Sequence, residues 1–150
     1  MSAVSKLTED WKYDAVSIGY PGRVRDNRPG SEPVNLGHGW VHFDFAKAFA
    51  RPVRVINDAA MQALGSYRNG RMLFLGLGTG LGSALVVDGN LMPMELGHLP
   101  YKGGTHETYL GLKGLKRQGI TKWRECVHQV VVKFISALEL DDVVIGGTCA

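Results

Sequence analysis

Cysteine is scarce, with 2 residues in 150, and Cys126 and Cys149 lie in no C-x-x-C pair and beside no histidine cluster. That spacing argues against both a zinc ribbon and a disulfide framework, and both thiols are expected to be reduced. Long apolar runs are missing as well. Nothing approaches the roughly 20 continuous apolar residues of a membrane span, and the opening MSAVSKLTEDWKYD has no apolar signal-peptide core. A cytoplasmic chain without a membrane partner is expected. Clustered charge is a third absence. The net charge is +3, which favours anionic ligands in a general way, but no basic run or aromatic-basic interleaving appears, so nucleic acid is not an expected partner. No fixed-period repeat is visible, and 45% hydrophobic with 21% charged residues is ordinary material for a folded core.

What is present reads as alternating strands and helices. DAVSIG (14–19) stops at YPG as a buried strand does at a turn, and Arg23 to Trp40 reads as loop. Asp44 is placed to cap a short helix over FAKAFA, and RPVRVIND follows as a second strand. Residues 59–68 carry good helix formers and end at Asn69-Gly70. Strands from Met72 to Leu77 and from Ser83 to Val87 flank a glycine-rich hairpin, DGN (88–90) marks a turn, and LMPMELGHLPYKGG reads as irregular. A helix is expected over 107–118 despite Gly111 and Gly114. The clearest amphipathic helix runs from Lys122 to Glu139, followed by the strand DDVVIGG.

The glycine run MLFLGLGTGLGSALVVDG raises the question of a phosphate cradle. A dinucleotide fingerprint needs glycines at i, i+2 and i+5, but Leu81 follows in the register of Gly76 and Ser83 in that of Gly78. A Walker P-loop needs Gly-Lys-Ser/Thr opening a helix, whereas these glycines lead into a strand. What remains is a hairpin turn, Gly78-Thr79-Gly80-Leu81-Gly82, whose amides and Thr79 hydroxyl can face an anion. The turn alone fits a plain tight hairpin as well as a phosphate site. Asp58, at the end of VIND, fits a general base at a strand terminus or a cap for the helix that follows. Glu95, His98 and Glu107 are suited to directional contact with sugar hydroxyls, although a lone His98 also reads as structural.

In order along the chain, GYPGRV, VNLGHGW, VINDAAMQALG, LFLGLGTGLGSALVVDG, MELGHLPY and VVIGG resemble the repressor, open-reading-frame and kinase (ROK) family of sugar kinases, and most of all its polyphosphate/ATP glucokinase branch. The resemblance implies an α/β, actin-like, ribonuclease H-like fold of two domains with sugar in the cleft between them. It places residues 1–58 in the N-terminal domain and 59–150 in the C-terminal one. The family's first phosphate loop, of the Asp-x-Gly-Gly-Thr kind, has no counterpart before Trp11, so the fold is expected to be incomplete at both ends.

By the same resemblance Asp58 is the base for the sugar 6-hydroxyl. Asn57, Glu95, His98 and Glu107 are sugar ligands, Pro21 and Gly22 shape the pocket, and Asn35 is a further sugar candidate. Gly78, Thr79, Gly80 and Gly82 form the second phosphate loop, and Gly146 and Gly147 the adenosine-side turn, although Thr148 stands where a third glycine is usual. The family's C-x-C-G-x-x-G-C zinc motif is absent, so no zinc and no protein metal site are expected. The implied reaction is glucose to glucose 6-phosphate, with Mg²⁺ and either ATP or polyphosphate as donor. The alternative is a catalytically incomplete relative that binds sugar or only folds. Lys102, Lys113, Lys116, Arg117, Lys122 and Arg124 fit either a polyphosphate track or a solvated face. A sheet without its early strands would leave edge and apolar surface open, so a homodimer is a further expectation.

Overall fold

A computed structural model of the chain describes residues 2–33 and 36–149. The chain divides into two compact units, Met1–Asp58 and Ala59–Ala150. The first holds α1 (Ser2–Leu7), β1 (Val16–Tyr20), β2 (Val24–Arg25), β3 (Arg28–Pro29), α2 (Phe45–Phe49) and β4 (Val53–Asn57). β1 and β4 pair in parallel, Tyr20 opposite Asn57. The segment expected to be loop contains the small antiparallel pair β2–β3, turned by Asp26 and Asn27 at φ 49° and 65°. Both residue types tolerate the left-handed region better than most. Asn27 then serves the edge of β4: its Oδ1 accepts the Val55 amide at 2.6 Å and its Nδ2 donates to the Val53 carbonyl at 2.8 Å. Asp44 caps α2 as expected, accepting the Lys47 amide at 2.9 Å.

Glu32 organises the loop before α2, accepting the amides of Gly39 and Trp40 at 3.0 Å each and of Val41 at 3.3 Å. The hydrogen bond from the Trp40 amide is the largest cause holding its carboxyl below the ordinary carboxylate range. Tyr20, Phe45 and Val55 form the buried core of this unit, with Trp40, Phe43 and Phe49 packed against it.

The second unit is built on α3 (Asp58–Ser66), β5 (Arg71–Leu77), β6 (Leu81–Val87), β7 (Asn90–Met94), β8 (Pro100–Tyr101), β9 (Gly104–Thr105), α4 (His106–Leu110), α5 (Leu112–Gln118), α6 (Ile120–Leu138) and β10 (Asp142–Gly146). Its sheet runs β10-β5-β6-β7, with β10 parallel to β5 and the remaining pairs antiparallel. β5 lies inside the sheet and has both faces covered, which explains its lack of polar alternation. Leu73, Leu75 and Leu77 pack with Trp123, Val127, Val130 and Phe134 of α6, while Met72 and Phe74 pack with Ala59, Ala60 and Ala63 of α3.

Three sequence expectations are corrected here. The stretch read as irregular supplies an edge strand, β7, after a turn in which Asp88 and Gly89 both have positive φ, 49° and 79°. That pair is the signature of a type I′ hairpin. It also supplies the β8–β9 pair and a single 3₁₀ turn, Leu96–His98. The helix expected over 107–118 is two helices, because Gly111 is extended (φ −75°, ψ 176°) and ends α4 while opening α5. The glycine turn is also shorter than expected, since β6 begins at Leu81 and Gly82 is a strand residue opposite Gly76. Among the described residues no helix is long and apolar enough to cross a membrane.

Candidate functional site

Parallel strands present their carboxyl ends to ligands in open α/β sheets. In the first unit those ends gather four candidates. β1 runs into Pro21-Gly22 and β4 into Asn57-Asp58, and Asn57 Nδ2 donates to the Gly22 carbonyl at 3.2 Å, tying the two ends together. Asp58 is the first residue of α3 rather than a cap outside it, and a carboxylate in a first turn is favoured by the helix dipole. Both Asn57 and Asp58 are half-buried. Asn35 lies outside the described residues.

In the second unit the phosphate-turn candidate is a three-residue connection, Gly78-Thr79-Gly80, and its surroundings hold it from three directions. The Leu112 amide at the start of α5 donates to the Gly78 carbonyl at 2.8 Å, and the Cys149 amide to the Leu77 carbonyl at 2.9 Å. The Glu107 carboxylate accepts the Leu81 amide at 3.1 Å and fills the space beside Gly80 that a side chain would need. The Gly78 amide is committed inside the turn, donating to the Gly80 carbonyl at 3.1 Å. Among the described residues this leaves the amides of Thr79 and Gly80, with the exposed Thr79 hydroxyl, as the turn's uncommitted donors. They suit phosphate oxygens. Gly146 ends β10, and Gly147 follows at φ 98° against the Leu77 backbone, with the Thr148 hydroxyl next to Gly78. Gly82 faces Ala59, the residue after Asp58.

Glu95 precedes the 3₁₀ turn and His98 ends it, and both are exposed. Two buried polar residues that sequence reasoning passed over hold this segment. Ser83 Oγ donates to the Met94 carbonyl and accepts the Leu96 amide, both at 3.0 Å, so it grips the chain on either side of Glu95. His106 Nδ1 lies 3.0 Å from the Leu96 carbonyl, which makes Nδ1 the protonated nitrogen, and its amide donates to the Leu99 carbonyl at 3.1 Å. The signal for Ser83 was a hydroxyl inside an otherwise apolar strand; His106 carried none beyond its place before Glu107.

Of the basic residues, Lys113, Lys116 and Arg117 occupy one exposed face of α5, the helix whose first amide holds the turn. Arg117 lies over the Tyr109 ring at 4.8 Å. Lys102 instead leans on Cys126, donating to Sγ at 3.4 Å, and this hydrogen bond is the largest cause raising its pKa. Among the described residues no three His, Cys, Asp or Glu gather as a metal site. The amide and hydroxyl donors of the turn do not themselves build a cation centre.

No family model and no curated protein matches the sequence. Solved structures do match. The inorganic polyphosphate/ATP-glucomannokinase of Arthrobacter sp. strain KM is 28% identical over 89% of this chain, with a TM-score of 0.71. A ROK family glucokinase from Streptomyces griseus, in complex with glucose and AMPPNP, is 19% identical over 97%, at 0.72. A ROK family transcriptional regulator, a homologue of the E. coli MLC protein, is 17% identical over 97%, at 0.70. The chain spans 58%, 69% and 54% of these three neighbours respectively. The likeness expected from the motifs is thus present in three dimensions, and the chain has the actin-like α/β fold of the ROK sugar kinases.

Proposed function

We propose that this chain serves phosphoryl transfer from polyphosphate or ATP to the 6-hydroxyl of glucose, giving glucose 6-phosphate. The observation that carries this reading is the glycine turn, whose two uncommitted amides and one hydroxyl are fixed from outside by Glu107, Leu112 and Cys149. The likeness to a polyphosphate/ATP-glucomannokinase supports the donor pair, and the glucokinase complex with glucose and AMPPNP supports the acceptor. Magnesium is proposed to arrive on the donor's phosphates, and the location is proposed to be cytoplasmic.

In the proposed step the sugar 6-oxygen attacks the terminal phosphorus, the bond from that phosphorus to the bridging oxygen breaks, and the hydroxyl proton passes to the Asp58 carboxylate. The work is mostly positioning and charge stabilisation. Asn57 and the Pro21-Gly22 turn line the sugar side, and Glu95 and His98 hold hydroxyls. The exposed cations of α5 begin one residue beyond the amide that holds the turn, a suitable path for an anionic polymer longer than ATP.

The regulator among the neighbours favours a second reading, sugar binding without turnover. A glucose titration by calorimetry, run beside a glucose 6-phosphate assay with each donor, separates the two. Turnover that falls by about 10²–10⁴ in Asp58→Asn is the expected result. Glucose binding without turnover supports the second reading, and an Asp58→Asn variant with undiminished rate overturns Asp58 as the base.

A further inference from the structure

The sugar-side segment and the phosphate turn are both held in the second unit by one short element, the start of α4. His106 holds the segment, through its ring to the Leu96 carbonyl and its amide to the Leu99 carbonyl. Glu107, the next residue, holds the turn through Leu81. The same two pieces also touch directly: a side chain on Gly97 would lie 2.8 Å from the Leu81 carbonyl and 3.6 Å from Glu107 Cβ. His106 is buried between the rings of Tyr101 and Phe134, with centroids 5.1 and 5.0 Å away, and Leu110 of the same helix is fully buried. The Thr105 capping box fixes where α4 starts. The helix start is therefore the stiff member, and the segment and the turn are each hung from it.

We propose that His106 and Glu107 form a joint that couples the two ligand sites, so that sugar held at residues 95–98 and phosphate held at residues 78–80 each strengthen the other. Both are positioning residues in this role. Glu107 can do this and still meet a sugar hydroxyl, because only Oε2 is committed to Leu81 among the described residues. No buried side-chain oxygen there lacks a partner, so Oε1 is open to solvent. The proposal rests on the reading of these two segments as sugar and phosphate sites. Coupling of this kind is reciprocal and commonly amounts to about 5- to 150-fold in affinity.

The test is calorimetry of glucose binding to the full chain, with and without saturating AMPPNP or tripolyphosphate, in the native protein, Glu107→Ala and Glu107→Gln. Native protein should bind glucose at least about 5-fold more tightly when the phosphate ligand is present. Glu107→Ala should bind glucose more weakly, by the hydroxyl contact it loses, and show a ratio near 1, and Glu107→Gln should recover the ratio, since its amide oxygen can accept the Leu81 N–H. A native ratio near 1, or an unchanged ratio in Glu107→Ala, overturns the joint. Native protein that binds neither ligand overturns the proposed function instead.

The joint is then judged without ligand, by amide exchange in Glu107→Ala and in His106→Phe, which keeps an aromatic ring and loses the donor. Each variant should speed exchange in both pieces, Leu81 and the Leu96–Leu99 amides. Acceleration confined to the piece each residue touches overturns the joint.

Discussion

Gly147 offers the sharpest test of how the glycine turn is supported, because Gly89 provides an internal control. Both glycines have positive φ, 98° and 79°. A side chain at Gly89 would meet nothing within 4 Å, whereas one at Gly147 would lie 2.8 Å from both Leu77 N and Leu77 C and closer still to the Leu77 carbonyl oxygen. Gly89→Ala therefore costs the left-handed conformation alone, about 1–2 kcal/mol. Gly147→Ala carries a similar conformational cost plus an overlap with backbone that cannot rotate away, worth about a further 1–3 kcal/mol on the scale of overpacked cores. The overlap falls on Leu77, whose carbonyl accepts the Cys149 amide, so relief requires parting the end of β10 from the root of the turn. Urea unfolding followed by tryptophan fluorescence, with Trp123 buried in the core of this unit, measures both variants on one scale. Equal losses in the two variants would refute the close approach. A loss below about 0.5 kcal/mol in Gly147→Ala would refute the positive φ as well.

Other consequences follow from the same geometry. Leu75→Ala empties a fully buried position of β5 and should cost about 2–5 kcal/mol in the same unfolding assay. Glu32 has a lowered carboxyl pKa in the folded chain, so its contribution to the 39–41 loop is complete at neutral pH. That contribution fades as the pH falls through the ordinary carboxylate range and is gone below the lowered folded value. The protection factors of the Gly39 and Trp40 amides, exchange rates corrected for the intrinsic pH dependence, should fall over that acid window in the native chain, and in Glu32→Gln should already be lower at neutral pH and change less with acid. Lys113→Ala with Lys116→Ala should raise the KM for polyphosphate, with a shallower salt dependence, and leave the KM for ATP near its native value. Equal effects on the two donors would make the α5 cations a general charge and not a track.

Elements are legible in the sequence where local chemistry and burial agree. The continuous apolar run of β5 reads as a buried strand because both its faces are covered, and the periodicity of α6 is the direct trace of Trp123, Val127, Val130 and Phe134 facing the sheet. β7 is not legible, because an edge strand with Pro93 and exposed Met92 has no pattern to show. The break between α4 and α5 is not legible either, because Gly111, extended and against the Thr79 carbonyl, and Gly114, helical and against the Tyr109 backbone, are the same residue type in the sequence. The candidate site was legible as residue types in order. Its supports, Ser83 and His106, were not, since each is defined by a carbonyl or amide more than nine residues away along the chain.

Those hidden supports bear on how a hairpin turn would take the phosphate role proposed for it, a role that other folds give to a helix N-terminus. A helix start offers several parallel amides and a dipole at once, and the helix itself keeps them aligned. Here, among the described residues, only Thr79 and Gly80 of the turn keep free amides, because the turn uses the Gly78 amide to close itself and Glu107 takes that of Leu81. Glycine at three of the five positions from Gly78 to Gly82 makes such a turn loose on its own. Alignment must therefore come from contacts outside the hairpin. The amide of Leu112 at the start of α5, the Cys149 amide after β10 and the Glu107 carboxylate each fix one part of it. An acidic side chain beside a phosphate site would repel the ligand if its charge were unmet. Its bond to the Leu81 amide draws that charge toward the backbone and turns a repulsive neighbour into a brace. The same balance predicts that Glu107→Gln, which keeps an acceptor and sheds the charge, should bind tripolyphosphate at least as tightly as the native chain, while Glu107→Ala, which sheds both, should bind it more weakly. Weaker binding in both variants would mean that the charge itself, and not the acceptor, is what the turn requires.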